Sequence, residues 1–198
     1  MKNLYGLLIA FILLSGCNFL SPVPVEVKNK YVLNTLPQPT IKKSHRRMTL
    51  LVATPGTNSL YNTQQIAYSI QPYQIGYFAK NTWISRPAEM LQPLMIQSLQ
   101  NTHYFHAVIG PSVTGRYEYI LNTQIEELLQ DYTHVTGFLR LTVRAEIIRA
   151  SDGEIIASKQ FVIAEPILQK SPYCGVFAAN QATKEMLRQL TQFCLKNI

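Results

Sequence analysis

The residue with the clearest chemistry in this sequence is Cys17, whose thiol follows the small residues Ser15 and Gly16 at the end of an apolar segment. Lys2 places a positive charge before that segment, and residues 4–14 are almost wholly apolar, which is the composition of a signal peptide. About ten apolar residues span about 15 Å as a helix, roughly half of the bilayer core. The segment is therefore too short for a comfortable transmembrane anchor and indicates a cleaved leader.

The four residues Leu14-Ser15-Gly16-Cys17 resemble the lipobox of bacterial lipoproteins. The resemblance implies cleavage between Gly16 and Cys17, a diacylglycerol on the Cys17 sulfur and an acyl chain, such as palmitate, on the new amino group. The alternative is an ordinary signal peptide followed by a chance cysteine. Asn18 differs from the aspartate that retains lipoproteins in the inner membrane of well-studied Gram-negative bacteria, so the resemblance implies an outer-membrane lipoprotein that faces the periplasm.

Other chemical motifs are weak. Residues 110–115 have the wrong spacing for a serine nucleophile elbow, and no glycine-rich phosphate loop occurs. His103 and His106 lack an obvious third metal ligand, so packing or surface roles are favoured over a zinc site. Glu126 and Glu127 are adjacent, and on a strand they are expected to point to opposite faces. An enzyme therefore has no support in these motifs, and we predict no catalytic, metal-binding or cofactor-binding residues and no bound group besides the acyl chains on Cys17.

Composition favours one folded domain with a basic surface. Of the 198 residues 47% are hydrophobic and 15% charged, and the formal net charge is +7. A periplasmic address argues against nucleic acid and favours membrane headgroups or an acidic protein as partners. The densest basic cluster contains Lys42, Lys43, Arg46 and Arg47; a solvated loop is favoured over a dedicated binding patch.

Two further cysteines, Cys174 and Cys194, lie within a segment whose period predicts one helix from about Gly175 to Lys196. Twenty helical residues would separate them by about 30 Å, far beyond disulfide geometry. We therefore predict no bridge between them. Two buried thiols are favoured, and intermolecular pairing is the alternative.

The order of predicted elements is strands, helix, strands, helix. This order predicts an α+β fold in which two helices cover one face of a mostly antiparallel sheet. Residues 17–30 are predicted to be a lipidated tether, and residues 31–198 a single domain. Ser85 is expected to cap the first helix, Lys80-Asn81 to form a turn before it, and Ser151-Asp152-Gly153 to form a hairpin turn. Strands are predicted at residues 31–33, 49–53, 66–70, 74–79, 117–128, 138–149 and 154–164, and the first helix at residues 87–100.

Aromatic residues concentrate between Tyr68 and Trp83. Core packing is their commonest role. Tyr73, Tyr77 and Trp83 are alternatively candidates for an interface, because tyrosine and tryptophan are enriched in such surfaces. The basic residues Lys42, Lys43, Arg46 and Arg47 are candidates for the same kind of interface.

Three segments together resemble a known family. Residues 31–34 open the body, residues 73–83 form an aromatic strand that ends in Asn-x-Trp, and residues 87–91 read Pro-Ala-Glu-Met-Leu. This pattern resembles the ABC-type transport auxiliary lipoproteins, the family of paraquat-inducible protein C. The similarity extends from about Tyr31 to Phe193, and residues 73–99 are its specific part.

The resemblance implies a non-enzymatic subunit of an ABC system whose periplasmic proteins carry mammalian-cell-entry (MCE) domains. Such systems move phospholipids or other hydrophobic molecules, and the subunit would dock the MCE component at the outer membrane, with a homo-oligomeric ring as one form it could take. Two alternatives stay open. One is a module that itself holds a lipid between sheet and helices; the weaker one is a periplasmic hydrolase.

Overall fold

The computed structural model describes residues 27–39 and 46–198. The predicted signal peptide, the predicted lipidation site Cys17 and the basic residues Lys42 and Lys43 lie outside the described residues. Within the described residues the fold is α+β, as predicted, with two helices and one large sheet. In chain order the elements are β1 (Asn29–Tyr31), β2 (Thr49–Val52), β3 (Gly56–Thr57), β4 (Gln65–Ser69), β5 (Gly76–Trp83), α1 (Pro87–Gln100), β6 (Ala107–Ile109), β7 (Tyr119–Asp131), β8 (Gly137–Arg149), β9 (Ile155–Ile167) and α2 (Pro172–Asn197).

Three long antiparallel strands, β7, β8 and β9, form the main part of the sheet. Each has 13 residues, and their alternating pattern sends one set of side chains to a buried face. Leu121, Leu141, Val143 and Phe161 on that face are at most 1% exposed. The β8–β9 turn lies where Ser151-Asp152-Gly153 predicts it, and Gly153 has a positive φ of 75°.

The other edge of β7 is shared by three short strands. β2, β3 and β4 pair with successive parts of β7, and all three run parallel to it. Farther out, β6 pairs with β2, while β5 pairs with β4 and β1 with β5. The sheet is therefore mostly antiparallel through its long ladders, with parallel pairing among the short strands.

Both helices pack on the same face of this sheet. α1 contributes Leu91 and Met95 to the core, and α2 contributes Met186 and Leu187; all four are fully buried. Helix α2 begins after Ser171, whose hydroxyl accepts a hydrogen bond from the backbone N–H of Cys174. Cys174 and Cys194 lie near opposite ends of α2, as predicted, and both are free thiols.

Several local predictions were wrong. The predicted turn at Lys80-Asn81 lies inside β5, because Asn81 and Thr82 are paired with β1. Arg86, not Ser85, precedes α1, and its N–H donates to the Glu89 carboxylate. The first strand is Asn29–Tyr31 rather than residues 31–33, so the strand begins inside the predicted tether.

Candidate docking surfaces

The predicted interface residues are dispersed in the structure. Arg46 and Arg47 are exposed, and the Arg46 side chain donates to the Tyr104 hydroxyl at 3.2 Å. Trp83 is 2% exposed and belongs to the core, so it presents no surface to a partner in this structure. Tyr77 is half-buried and its hydroxyl donates to the Leu60 carbonyl. Of the three aromatic candidates, Tyr73 alone is fully exposed.

The structure instead presents a broad polar surface on the face of the sheet opposite the helices. We call this surface the open sheet face; it comprises Gln124, Glu126, Glu127, Arg140, Arg144, Gln160 and Val162. The arginine side chains at 140 and 144 are about half exposed. Val162 between them is 68% exposed. The face therefore offers charged groups around an apolar position.

A β-bulge in β7 organises the charges of this face. The bulge lies between Ile125 and Glu127, and it places Glu126 and Glu127 on the same side of the sheet, contrary to the prediction of opposite faces. Arg144 Nε lies 2.7 Å from Glu126 Oε1, and Arg140 Nε lies 3.1 Å from Glu127 Oε1. Each carboxylate is thus engaged by an arginine, which leaves no carboxylate pair for acid–base chemistry.

Hydrogen bonds favour the ionised forms of Glu126 and Asp131. Gln160 Nε2 donates to Glu126, and this bond together with the one from Arg144 holds the pKa of the Glu126 carboxyl below its usual range. At the end of the face, burial alone would raise the pKa of Asp131. Hydrogen bonds from Thr133 and Arg140 outweigh that effect and lower it.

Three open grooves lie on the surface. One of about 370 Å³ continues the open sheet face between Thr54, Gln124 and Glu146. One of about 590 Å³ runs between β9 and α2 and carries Lys159, Arg188 and Lys196, and one of about 440 Å³ lies beside Tyr73. All three are open grooves whose linings include charged side chains, unlike the enclosed apolar cavity that a stored lipid needs.

Side chains fill the space between the two helices and the sheet. Leu91 and Met95 of α1 and Leu187 of α2 have no exposed surface. A space beneath Pro37 and Pro39, against both helices, has a volume of about 10 Å³, which is about the size of one water molecule. The described core therefore shows no support for a lipid carried between sheet and helices.

The histidine pair does not form a metal site in the part of the chain that the structure describes. His103 and His106 are both exposed, and residues 27–39 and 46–198 contain no group of three His, Cys, Asp or Glu side chains that could hold a metal ion. Neither α1 nor α2, the helices of the described ranges, is long and apolar enough to cross a membrane.

A family model for the ABC-type transport auxiliary lipoprotein component matches residues 31–191. The chain belongs to this family. The match covers most of the sequence, including every described strand and helix from β2 to the greater part of α2. No protein of curated function matches the sequence.

The fold of this auxiliary lipoprotein is shared with solved structures. Protein XCC0632 from Xanthomonas campestris superposes with a TM-score of 0.78 at 19% identity, over 85% of this chain and 96% of that one. An uncharacterized protein superposes with a TM-score of 0.66 at 12% identity, over 85% and 99%. PelC from Paraburkholderia phytofirmans, a dodecamer, has a TM-score of 0.42 at 12% identity, over 77% and 93%. That last similarity is too low to support any statement about assembly here.

Sequence reasoning missed the open sheet face of this auxiliary lipoprotein. Its charged pairs join neighbouring strands, such as Glu126 of β7 with Arg144 of β8, and which side chains meet depends on the register of the two strands and on the bulge. The alternation of Arg140, Thr142, Arg144 and Glu146 against apolar residues in β8 was the available signal, because it marks one side of the strand as solvated.

Proposed function

We propose that this auxiliary lipoprotein is a non-enzymatic subunit that is anchored to the outer membrane and docks the MCE-domain protein of an ABC transport system for phospholipids. Family membership over residues 31–191 is the observation that supports this proposal most strongly. The charged pairs found in the described residues form no constellation of nucleophile, base and orienting group.

The anchor in this proposal is Cys17. Two or three acyl chains on one residue hold a protein far more firmly than one chain, because each buried methylene contributes about 0.8 kcal/mol. The Cys17→Ser protein should not incorporate labelled palmitate and should leave the membrane fraction. Palmitate labelling of that variant would contradict the assignment.

The open sheet face is the proposed docking surface. It spans three 13-residue strands, and the two helices pack on the other side of the sheet. Its half-exposed arginines, engaged with Glu126 and Glu127, provide fixed charges for orienting a partner, and Val162 provides an apolar contact between them. A polar rim around an apolar centre is the usual composition of a non-obligate interface.

Photo-crosslinking in cells tests this docking. A photo-reactive amino acid at Val162 should capture an MCE-domain protein, identified by mass spectrometry. The same amino acid at Gln192, exposed on the solvent side of α2, is the matched control and should not. Equal capture from both positions, or capture of an MCE-domain protein only from Gln192, would refute the choice of face.

A ring of copies is a further part of the proposal. In the described chain β9 pairs with β8 alone, so the outer edge of a 13-residue strand remains open to pairing. Such an edge is a template for another strand. Native mass spectrometry of the detergent-solubilised protein should show one closed oligomer, and a monomer at all concentrations would count against the ring.

A further inference from the structure

Three loops meet at one end of the sheet. Ser69 at the end of β4 is paired with Asp131 at the end of β7, and Gly137 at the start of β8 is paired with Ile167 at the end of β9. Tyr68 is likewise paired with Gly76, the first residue of β5. The loops that follow these strand ends, residues 70–75, 132–136 and 168–171, therefore share one end of the fold, and we call them the tip loops.

Each tip loop exposes an apolar or aromatic side chain. Tyr73 is fully exposed, Val135 is 95% exposed and Leu168 is 89% exposed. Ile70 and Ile75 flank Tyr73 and are also exposed. Isolated exposed apolar residues are ordinary, but one on each of three neighbouring loops is a shared feature of this end.

The tip loops carry no negative charge. Their sequences are Ile-Gln-Pro-Tyr-Gln-Ile, Tyr-Thr-His-Val-Thr and Leu-Gln-Lys-Ser, which contain one lysine, one histidine and no acidic residue. Lys170 is exposed within them. A surface of apolar tips with a cation among them is compatible with anionic headgroups.

Tyr132 ties the three loops together. Its backbone N–H donates to the Ser69 carbonyl at 2.8 Å, at the start of the first loop. Its hydroxyl hydrogen is shared between Gln130 Oε1 at 2.7 Å and the Ser171 carbonyl at 3.0 Å, and Lys170 Nζ donates to the Tyr132 carbonyl at 3.4 Å. The three tip loops are therefore held together by hydrogen bonds to Tyr132.

The N-terminal strand β1 runs away from the end that carries the tip loops. β1 runs parallel to β5, and β5 begins at Gly76 beside the tip loops. Asn29, where β1 begins, pairs with Asn81, part-way along β5. Residues 17–26 are ten residues, which reach at most about 35 Å from Val27. An acylated Cys17 would keep Val27 within that distance of the membrane.

We propose that the tip loops rest on the lipid surface, with Tyr73, Val135 and Leu168 inserted among the headgroups and upper acyl chains. This inference rests on the acyl anchor of the proposed function. Tyrosine is enriched at the membrane–water boundary, where its ring is buried and its hydroxyl stays wet. This contact fixes the orientation of the domain relative to the membrane. The strand β8 then begins at the membrane-facing end of the sheet and runs to the end that lies farthest from the membrane.

A fluorescence depth measurement tests this orientation. The acylated full-length mature protein, with Cys174→Ser to remove the half-buried thiol, is reconstituted into vesicles of phosphatidylethanolamine and phosphatidylglycerol. An environment-sensitive dye is attached at Val135→Cys in one sample and at Asp152→Cys, in the turn at the opposite end, in another. Spin-labelled lipids should quench most of the emission at position 135 and little of it at position 152. Equal quenching at the two positions would overturn the proposal.

A matched pair of triple variants tests the side chains themselves, with the dye moved to Gln71→Cys. Replacing Tyr73, Val135 and Leu168 by serine should abolish the quenching at position 71. Replacing Val113, Tyr117 and Ile155, exposed residues near the opposite end, by serine should leave it unchanged. Unchanged quenching in the tip variant would refute the insertion. In cells, a photo-reactive residue at Val135 that captured a protein instead of lipid would also overturn it. The vesicles contain no transporter, so these results are independent of whether the open sheet face docks an MCE-domain protein.

Discussion

Gly175 of α2 lies against Gln130 of β7 so closely that the helix has no room for a side chain at position 175. An added Cβ would lie 2.1 Å from Gln130 Cδ and Oε1. Gln130 is 1% exposed, and it cannot simply swing aside, because its Oε1 accepts a hydrogen bond from Tyr132 at 2.7 Å. Gly175 therefore sets how closely the first turns of α2 approach the sheet.

Gly175→Ala should lower the free energy of unfolding. Overpacking a filled site costs about 1–3 kcal/mol, whereas alanine gains at most about 1 kcal/mol over glycine inside a helix, so the net effect is a loss. Urea unfolding followed by circular dichroism measures it. Gly115→Ala is the control, since nothing lies within 4 Å of its added Cβ, and it should be nearly neutral. A Gly175→Ala protein as stable as the parent would show that the Gln130 contact relaxes freely.

The local elements of this fold could be predicted from sequence where one strong period dominates. Helix α1 was predicted at residues 87–100 and occupies Pro87–Gln100, even though Pro93 interrupts its hydrogen bonds. The alternation in β8 predicted a strand at residues 138–149, within one residue of the observed Gly137–Arg149, and it predicted the buried face. In these segments the burial of regularly spaced apolar side chains outweighs the helix or strand propensities of single residues such as Pro93.

The remaining features depend on contacts between distant residues. Lys80-Asn81 has the composition of a turn, but pairing of Asn81 with Asn29 and of Thr82 with Lys30 keeps it extended. The parallel pairs of β2, β3 and β4 with β7 join segments separated by about 60 to 70 residues, and nothing local specifies them. The tip loops depend on the pairing of β4 with β7, and the open sheet face depends on the bulged register of β7 with β8, so neither could be located before the strand pairing was known.

Acidification should weaken the fold through Glu185. Hydrogen bonds from Arg188 and Gln189 lower the pKa of Glu185 from 4.5 to about 2. Between those values the unfolded chain binds more protons than the folded one, so stability falls as the pH falls from about 4.5 to about 2. The Glu185 side chain is 39% exposed, and solvent screening limits the effect to below about 1 kcal/mol.

The Glu185→Gln protein tests the predicted direction of this pH dependence of stability. Its free energy of unfolding, measured across that acidic range, should depend less steeply on pH than that of the parent. High salt should reduce the difference between the two proteins, because exposed ion pairs are screened. A parent and variant with parallel pH profiles would show that the Arg188 contact contributes nothing to stability.

The two thiols of α2 should react differently. Cys194 is fully buried, and burial raises its pKa to about 12, so little reactive thiolate exists near neutral pH. Cys174 is half-buried. Alkylation of the folded protein at neutral pH should therefore modify Cys174 and spare Cys194, and urea should expose both. Mass spectrometry of the peptides distinguishes the two sites. Rapid modification of Cys194 without denaturant would mean that the C-terminal part of α2 opens readily.

Reversing one charge on the open sheet face should abolish docking without unfolding the protein. Arg144 is about half exposed and pairs with Glu126, while Arg188 on α2 is 44% exposed and pairs with Glu185. The two arginines therefore form a matched pair in exposure and in partner chemistry, but they lie on different surfaces. Each exposed pair is worth at most about 1 kcal/mol, so Arg144→Glu and Arg188→Glu should both remain folded.

Their effects on docking should differ. A reversed charge at a partner's contact surface costs several kcal/mol through like-charge repulsion, which corresponds to a loss of more than about tenfold in captured complex. The yield of crosslinks from Val162 to the MCE-domain protein should fall by that amount in Arg144→Glu and stay unchanged in Arg188→Glu. Circular dichroism of both variants separates loss of docking from loss of fold. If Arg188→Glu lost the crosslink and Arg144→Glu kept it, the partner would have to bind the helical side, and the open sheet face would be the wrong surface.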